Sequence, residues 1–387
     1  MKKIICLGLF GVLISCSKSE STPDYVDESK YLPSDTARKW VNITPSNNSL
    51  WQNGNKVLST SFVDNNGNYY IAGYLFGGFD GNFVAKWDGT NWSKVGSGTA
   101  AFNPNNDIDK ICVNSKGYVY ATGKFTDADH NRYVAEWNNN EWHSIGSIPK
   151  ISGKQFDFLT SMICDNDDNI IICLRNMRGD SSYIYKWNKT NWSLIGKPVY
   201  RKVKDGDDVF SSVVVSGPIL TTDEKNNIYF GDEGDNGSYL AKWNGNVWEI
   251  LKGPNNYYLR TGGLINCIKE NVLYIKAVSY NSTSAELKYE NGSWSEVSVP
   301  IKEIGILSYQ SQTHIPYTIN SNEKKDNVFL YKSLNNSWFR LGNTVPLAYY
   351  NGISDFRIDI DNKGTVYLAL RGANSDSTYV GTWMLKN

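Results

Sequence analysis

The chain has 387 residues, and its 39 Lys and Arg balance 39 Asp and Glu, so the formal net charge is zero. Lys and Arg do not cluster along the sequence, which excludes the basic stripe that neutralises phosphates; nucleic acid is therefore not an expected partner. Thirteen Trp and 25 Tyr, with Asn and Gly between short β-branched runs, are typical of an all-β protein.

The N-terminus has the pattern of a lipoprotein signal peptide. Lys2 and Lys3 precede an apolar run over residues 4–14, and the run ends in Leu-Ile-Ser-Cys at Cys16. This run is far shorter than the roughly 20 residues that span a bilayer. We therefore predict a signal peptide over residues 1–15 and a lipidated Cys16 that anchors the protein to the membrane. An ordinary secretory leader with a chance cysteine is the alternative.

The residues after Cys16 predict where the protein is held. Ser17 stands where an Asp would resemble the inner-membrane retention signal of bacterial lipoproteins, so the leader resembles that of an outer-membrane lipoprotein. Whether the domain faces the periplasm or the cell surface stays open. Residues 16–38 are rich in Ser, Lys, Glu, Asp and Pro and predict a flexible tether, and residues 39–387 predict one folded domain.

The domain consists of internal repeats. The segment Phe83–Gly96 (FVAKWDGTNWSKVG) has an aromatic pair at Trp87 and Trp92, and related segments follow about every 50 residues. The related pairs are Trp137 and Trp142, Trp187 and Trp192, Trp243 and Trp248, Tyr289 and Trp294, Tyr331 and Trp338, and then Trp383 alone. Two β-runs joined by an Asp/Asn/Gly turn precede most copies, so each unit predicts four short antiparallel strands. Such a unit is one blade of a β-propeller.

The last copy stops after Trp383, and residues 39–43 near the N-terminus supply the missing strand, with Trp40 in the position of Trp92. Pairing of the two ends removes an exposed sheet edge. We therefore predict a seven-bladed β-propeller of four-stranded antiparallel blades, the last closed by the N-terminal strand. The paired aromatic residues predict packing between blades, and a carbohydrate-stacking surface is the alternative.

These residues resemble bacterial propeller proteins with V-A-x-W-[DN]-G-x-x-W-x-x-[LIV]-G repeats, a group loosely similar to kelch and galactose-oxidase-type propellers. The resemblance covers about residues 39–387 and implies the fold. Only Gly77-Gly78 matches the kelch glycine pair, and the marks of WD40 and sialidase repeats are absent. The resemblance therefore implies no active-site residues.

The sequence predicts no cofactor and no metal site. Cys112, Cys164, Cys173 and Cys267 form no C-x-x-C pair, and three His give no zinc pattern. Buried free thiols are expected, with a Cys164–Cys173 disulfide as the alternative. Acidic turns near residues 165–168 and 205–208 leave calcium as a further alternative.

Loops that join second to third strands, and loops between blades, converge on one face of a propeller. They vary between the repeats, which is typical of a recognition surface. The predicted ligand-binding residues are Phe79, Arg132, Arg178, Tyr257, Tyr258, Arg260, Tyr349, Tyr350 and Arg371. For each one, packing at the rim is the alternative. Aromatic rings and guanidinium groups suit a glycan, a peptide or a partner protein.

The sequence therefore favours a non-catalytic binding module on the cell envelope, and no catalytic residue is predicted. The first alternative is a glycan hydrolase or lyase with acids at the channel mouth, since glycoside hydrolysis needs two carboxyl groups. The candidate acids are Asp127, Asp129, Asp232, Glu233 and Asp376. A structural platform in an envelope complex is the second alternative.

Overall fold

The computed structural model describes twenty stretches of the chain. Within them, every element of regular secondary structure is a β-strand. These stretches are residues 38–44, 56–75, 82–96, 108–139, 141–149, 158–175, 181–197, 199–200, 219–234, 237–251, 257–259, 266–269, 272–279, 284–297, 306–309, 316–321, 328–334, 337–342, 353–372 and 378–385. No helix in these stretches is long and apolar enough to cross a membrane.

The strands form seven antiparallel sheets, six of which are contiguous in sequence. Blade 1 has β2 (Lys56–Val63), β3 (Tyr69–Leu75), β4 (Asn82–Trp87) and β5 (Trp92–Lys94). Blade 2 has β6 (Ile108–Val113), β7 (Val119–Gly123), β8 (Tyr133–Trp137) and β9 (Trp142–Ser147). Blade 3 has β10 (Phe158–Cys164), β11 (Ile170–Arg175), β12 (Ser181–Trp187), β13 (Trp192–Leu194) and β14 (Val199–Tyr200).

The second half of the chain continues the pattern. Blade 4 has β15 (Ile219–Thr222), β16 (Ile228–Gly234), β17 (Gly237–Trp243) and β18 (Trp248–Leu251). Blade 5 has β19 (Tyr257–Leu259), β20 (Asn266–Lys269), β21 (Val272–Ser279), β22 (Ser284–Glu290) and β23 (Ser293–Val297). Blade 6 has β24 (Ile306–Tyr309), β25 (Pro316–Ser321), β26 (Val328–Leu334) and β27 (Ser337–Leu341).

The seventh sheet, which we call the closing sheet, joins the two ends of the chain. It holds β28 (Ile353–Ile360), β29 (Val366–Gly372), β30 (Thr378–Leu385) and the N-terminal β1 (Arg38–Asn42), in the order β1-β30-β29-β28. Trp40 lies opposite Trp383, as the sequence predicted. The Arg38 guanidinium donates to the carbonyl of Gly364, and the Ile43 amide donates to Val380 O at 2.9 Å.

The prediction of seven four-stranded blades is wrong. Six blades are built from contiguous segments, and the remaining sheet is assembled from both ends. Blades 3 and 5 also carry a fifth strand. In blade 3, β13 and β14 pair with different parts of β12, and in blade 5, β19 and β20 pair with different parts of β21. The fifth strand therefore reflects an interruption of one strand, which repeat counting does not detect.

The first strands form the inner ring of the propeller. In turn, β2, β6, β10, β15, β20, β24 and β28 each adjoin the next, and β28 adjoins β2. The apolar core lies between neighbouring sheets. Between blades 1 and 2, for example, Tyr70 and Val84 pack with Ile111 and Phe125. The ring is therefore held together by one such apolar layer at each described interface.

The aromatic pair of one blade covers a glycine of the preceding blade. Trp137 and Trp142 lie opposite each other, and the Trp142 indole N–H donates to Val95 O at 2.9 Å in blade 1. A Cβ on the next residue, Gly96, would stand 2.3 Å from Trp142 Nε1. The backbone φ there is +86°, which also favours glycine. Packing between blades therefore requires glycine at position 96, whereas a Cβ on the equivalent Gly146 would stand 3.7 Å from Trp187, an ordinary contact.

Tight turns between first and second strands repeat the same hydrogen bonds. In blade 1, the buried Asp64 accepts at Oδ1 from the backbone amides of Asn66 and Asn68 at 2.9 and 2.8 Å. The equivalent acceptors are Asn114, Asp165, Asp223 and Asp361. This side chain replaces hydrogen bonds that the turn backbone cannot make with itself. The acidic turn at residues 165–168 is thus a structural turn.

Replacing Gly96 with Ala should destabilise the protein more than replacing Gly89 with Ala. Both glycines have positive φ, but a Cβ on Gly89 meets nothing within 4 Å. Gly89→Ala should therefore cost only the backbone strain, about 1–2 kcal/mol. Gly96→Ala should cost about 1–3 kcal/mol more, because the Trp142 ring must move. Urea unfolding measures both; equal losses would refute the packing role of Gly96.

Deletion of residues 38–44 should lower the stability of the whole domain. The deletion removes the strand pairing of β1 and exposes Trp383, which is only 2% exposed. A matched deletion of residues 20–26 in the predicted tether serves as the control. Thermal unfolding is expected to show a lower midpoint for the first deletion only. Equal midpoints for the two deletions would show that β1 does not close the ring.

Candidate functional site

Eight of the nine predicted ligand-binding residues have side chains outside the described part of the structure. Phe79, Arg178, Arg260, Tyr349 and Tyr350 lie outside the described residues, as do Cys16 and Asp376. Tyr257, Tyr258 and Arg371 lie in β19 and β29, and Asp232 and Glu233 lie in β16, but their side chains are outside the described part. Arg132 is the one member of the predicted binding set with a described side chain.

Arg132 ends the loop between β7 and β8, the one connection of this kind that the described residues cover throughout. It forms a bridge with Thr126, and its carbonyl accepts from the Ile148 amide at 2.7 Å. Phe125 in the same loop is fully buried and packs against Tyr133 with ring centroids 4.9 Å apart. A packed loop thus holds the half-buried Arg132 at the edge of blade 2.

Asp127, a candidate acid, stabilises this loop. Its Oδ1 accepts from the amides of Asp129 and Asn131 at 3.0 and 2.8 Å, and its Oδ2 accepts from Ser147 Oγ at 2.6 Å. Burial acts to raise the pKa of Asp127, but the bonds from Ser147 and Asn131 outweigh it and hold the pKa below its ordinary value. Asp127 therefore stays ionised as a turn acceptor, while Asp129 is exposed.

A second polar region lies on the inner ring. The first strands of blades 1, 2 and 3 share a β-bulge near their beginnings, and the extra residues are Ser59, Asp109 and Thr160. A bulge changes the direction of neighbouring side chains, and bulges are common beside active sites. The three small polar residues interrupt strands whose other residues are largely apolar. These strand beginnings follow the connections between blades, where the sequence predicted variable loops.

Close to these bulges, Ser61 of β2 donates to Asp359 of β28, with Oγ and Oδ2 2.5 Å apart. Burial raises the pKa of Asp359 to about 6, and the bond from Ser61 and the charge of Arg357 only partly oppose this. Tyr69, which is fully buried, lies in the same region. Burial, and then the charge of Asp359, raise the pKa of its hydroxyl well above the ordinary value.

Lys110 completes the region. Burial lowers the pKa of its ammonium group, the charge of Arg357 lowers it further, and Asp109 opposes both. Lys110 lies in blade 2 and Arg357 in the closing sheet, with blade 1 between them. The two cations therefore influence each other across the inner ring. We call Ser61, Tyr69, Lys110, Arg357 and Asp359 the inner-wall cluster.

The sequence reasoning missed the inner-wall cluster, although one signal was present. The residue two positions before the turn acceptor is Phe62, Cys112 or Ile163 in blades 1 to 3, but Asp359 in the closing sheet. This change from an apolar to an acidic residue in a first strand points to a special environment. The effect of Arg357 on Lys110 could not be predicted from the residues of a single strand, because the two side chains belong to different sheets.

The described residues contain no group of three or more His, Cys, Asp or Glu side chains that could hold a metal ion. The inner-wall cluster combines two cations, a carboxyl group with a raised pKa and a buried phenol. Perturbed pKa values in one place are typical of functional sites, although structural networks also produce them. This arrangement suits binding of a negatively charged group or proton transfer to one.

Solved structures share this architecture. The chain is similar to YCF48 from Cyanidioschyzon merolae, with a TM-score of 0.55, 12% identity, and 90% of this chain and 99% of that chain covered. YCF48 bound to D1 peptide gives 0.54 at 9% identity, covering 90% and 97%. The polysaccharide lyase Uly1 gives 0.51 at 12% identity, covering 92% and 96%. No protein-family model and no curated protein matches the sequence. The similarity establishes the β-propeller fold.

The stability of the protein should fall as the pH rises through about 6, because of Asp359. Its pKa in the folded state is above the unfolded value of about 3.9, so protonation of this carboxyl stabilises the fold. This contribution is complete below about pH 4 and is lost as the pH rises through about 6, with a total of up to about 3 kcal/mol.

Asp359→Asn should remove this pH dependence. Urea unfolding of the wild type, the variant and the exposed-site control Asp129→Asn at about pH 4.5 and pH 7 provides the test. The wild type and the control should lose more stability than Asp359→Asn between the two pH values. Parallel losses in all three proteins would exclude Asp359 as the buried titrating group.

Proposed function

We propose that this chain is a lipid-anchored protein of the bacterial outer membrane whose propeller is a non-catalytic binding module for an acidic ligand. The ligand is a glycan, a peptide or a partner protein with carboxylate groups. The observation that carries the proposal is that Lys110 and Arg357 lie close enough for the charge of Arg357 to lower the pKa of the Lys110 ammonium group. The predicted binding residues on the loop face would contact the rest of the ligand.

The charges of the inner wall favour an anion. Lys110 and Arg357 are positive, and the carboxyl group of Asp359 beside Arg357 is protonated below about pH 6, so the attraction for an anion is greatest below that pH. A guanidinium group binds a carboxylate through two parallel hydrogen bonds, and such bonds are stronger than neutral ones. A carboxylate that enters the channel would also relieve the repulsion between the two cations.

The fold also supports the proposed attachment. The predicted tether ends at residue 38, where β1 begins, and β1 is the outermost strand of the closing sheet. A lipid on Cys16 would therefore hold the propeller by its outer rim. The inner wall, at the other edge of the same sheet, would stay accessible to a ligand.

A polysaccharide lyase is the second candidate function. The carboxyl group of Asp359 has a raised pKa and lies beside Arg357, so a proton donor stands next to a group that can neutralise a substrate carboxylate. A known propeller of this fold, Uly1, is described as a polysaccharide lyase, and another, YCF48, binds a peptide. The fold thus accommodates both kinds of ligand.

Binding of acidic probes should depend on the inner-wall cations. Isothermal titration would compare an oligogalacturonate, a neutral malto-oligosaccharide and a polyglutamate peptide against the wild type. We expect binding of one acidic probe, and a loss of about tenfold in affinity in Lys110→Gln and in Arg357→Gln. Lys94→Gln is the matched control, because Lys94 is exposed on the outer strand β5.

Each result decides between the functions. Unchanged affinity in both inner-wall variants, or equal affinity for the neutral sugar, would contradict the proposed site. Formation of an unsaturated uronate from the oligogalacturonate, lost in Asp359→Asn, would replace the binding module with the lyase. The choice between the sugar and the peptide follows from which acidic probe binds.

A further inference from the structure

Two cysteines from neighbouring blades meet at the interface of blades 2 and 3. Cys112 lies in β6 and Cys164 in β10, the first strands of those blades. Their sulfur atoms are 2.6 Å apart. Non-bonded carbon atoms pack at about 3.5–4.0 Å, and a covalent S–S bond is about 2.05 Å long. The two sulfur atoms are therefore closer than an ordinary non-bonded contact, but farther apart than a covalent S–S bond.

The surrounding structure fixes this approach. Each cysteine lies next to the turn that ends its strand, and the turns are joined across the interface. The Ser115 amide and hydroxyl donate to the two carboxylate oxygens of Asp168 at 2.7 and 2.8 Å. Cys112 is 1% exposed, within an apolar layer that includes Met162 and Ile170. The contact is thus built into the core, rather than formed by two surface side chains.

The structure also separates Cys164 from Cys173, the pair that the sequence allowed as a disulfide. In the register of β10 and β11, Cys164 lies opposite Ile170 and Cys173 lies opposite Ser161. Cys164 packs in the layer between blades 2 and 3, whereas Cys173 packs in the layer between blades 3 and 4. The two cysteines therefore face opposite sides of one blade and do not bridge.

We propose that Cys112 and Cys164 form a disulfide that joins blade 2 to blade 3. The oxidant is a disulfide, either of a thiol oxidoreductase or of glutathione. One thiolate attacks it and releases one thiol; the second thiolate then attacks the mixed disulfide and releases the other. The protein loses two electrons and two protons, which reduce the oxidant to two thiols.

The bond forms while the blades assemble. Burial, and then the neighbouring Cys112 and the carboxylates of Asp168 and Asp165, raise the pKa of the Cys164 thiol well above its ordinary value. Thiolate is the reactive form, so exchange is suppressed once the interface has closed. The same shielding protects the finished disulfide from reductants. Chains that fold in a reducing medium therefore keep both thiols.

Refolding of the full chain in a glutathione redox buffer tests the chemistry. The protein is denatured, alkylated and digested, and the linked peptides are identified by mass spectrometry. The expected product joins the peptide of Cys112 to that of Cys164. It should be absent from Cys112→Ala and Cys164→Ala, and present in the control Cys173→Ala, which removes another buried thiol. Alkylation of both cysteines, or a link to a different cysteine, would overturn the proposal.

A stability measurement tests the proposed disulfide independently of peptide mapping. The oxidised wild type should melt several degrees higher than the same protein refolded under reducing conditions, because the bond closes a long loop. The double variant Cys112→Ala/Cys164→Ala should melt at the same temperature under both conditions. A wild-type melting temperature that does not depend on the redox buffer would also count against the bridge.

Discussion

The contact between the aromatic pair of one blade and the glycine that ends the preceding repeat is the interaction on which the ring depends. At Gly96, Gly196 and Gly342, a Cβ would stand within 2.5 Å of a Trp of the following sheet. Glycine is required for two reasons at once, since each also has a positive φ. The indole N–H groups of Trp142 and Trp248 then donate to carbonyls of the preceding blade, which fixes the rotation of each blade against its neighbour.

Cross-strand pairs within the blades support this contact. In blades 1, 4, 5 and 6, the Lys of the third strand lies over the ring of the Tyr opposite to it, as Lys86 does over Tyr70 at 5.8 Å. The Lys ammonium group lies over the face of the Tyr ring, which attracts a positive charge. The variable position of the V-A-x-W motif therefore has a packing role in these four blades.

Polar groups play different roles along the first strands. At the turn end, Asp64 and its equivalents are saturated by backbone amides, so their charges are committed to structure. Between these turns and the bulges near the strand beginnings, the inner-wall cluster brings Lys110, Arg357 and Asp359 into a shared environment. Repeated polar residues thus stabilise the propeller, while polar residues that depart from the repeat provide chemistry for a ligand.

The sequence by itself determined the features that repeat: the strand content, the hairpin turns, the aromatic pairs and the pairing of Trp40 with Trp383 across the two ends. These features follow from local periodicity and turn chemistry, which each repeat carries in full. Only the tertiary structure decided the interrupted strands of blades 3 and 5, the meeting of Cys112 with Cys164 and the approach of Lys110 to Arg357. All of these depend on which sheet packs beside which and on bulges that change side-chain direction, and no single repeat contains that information.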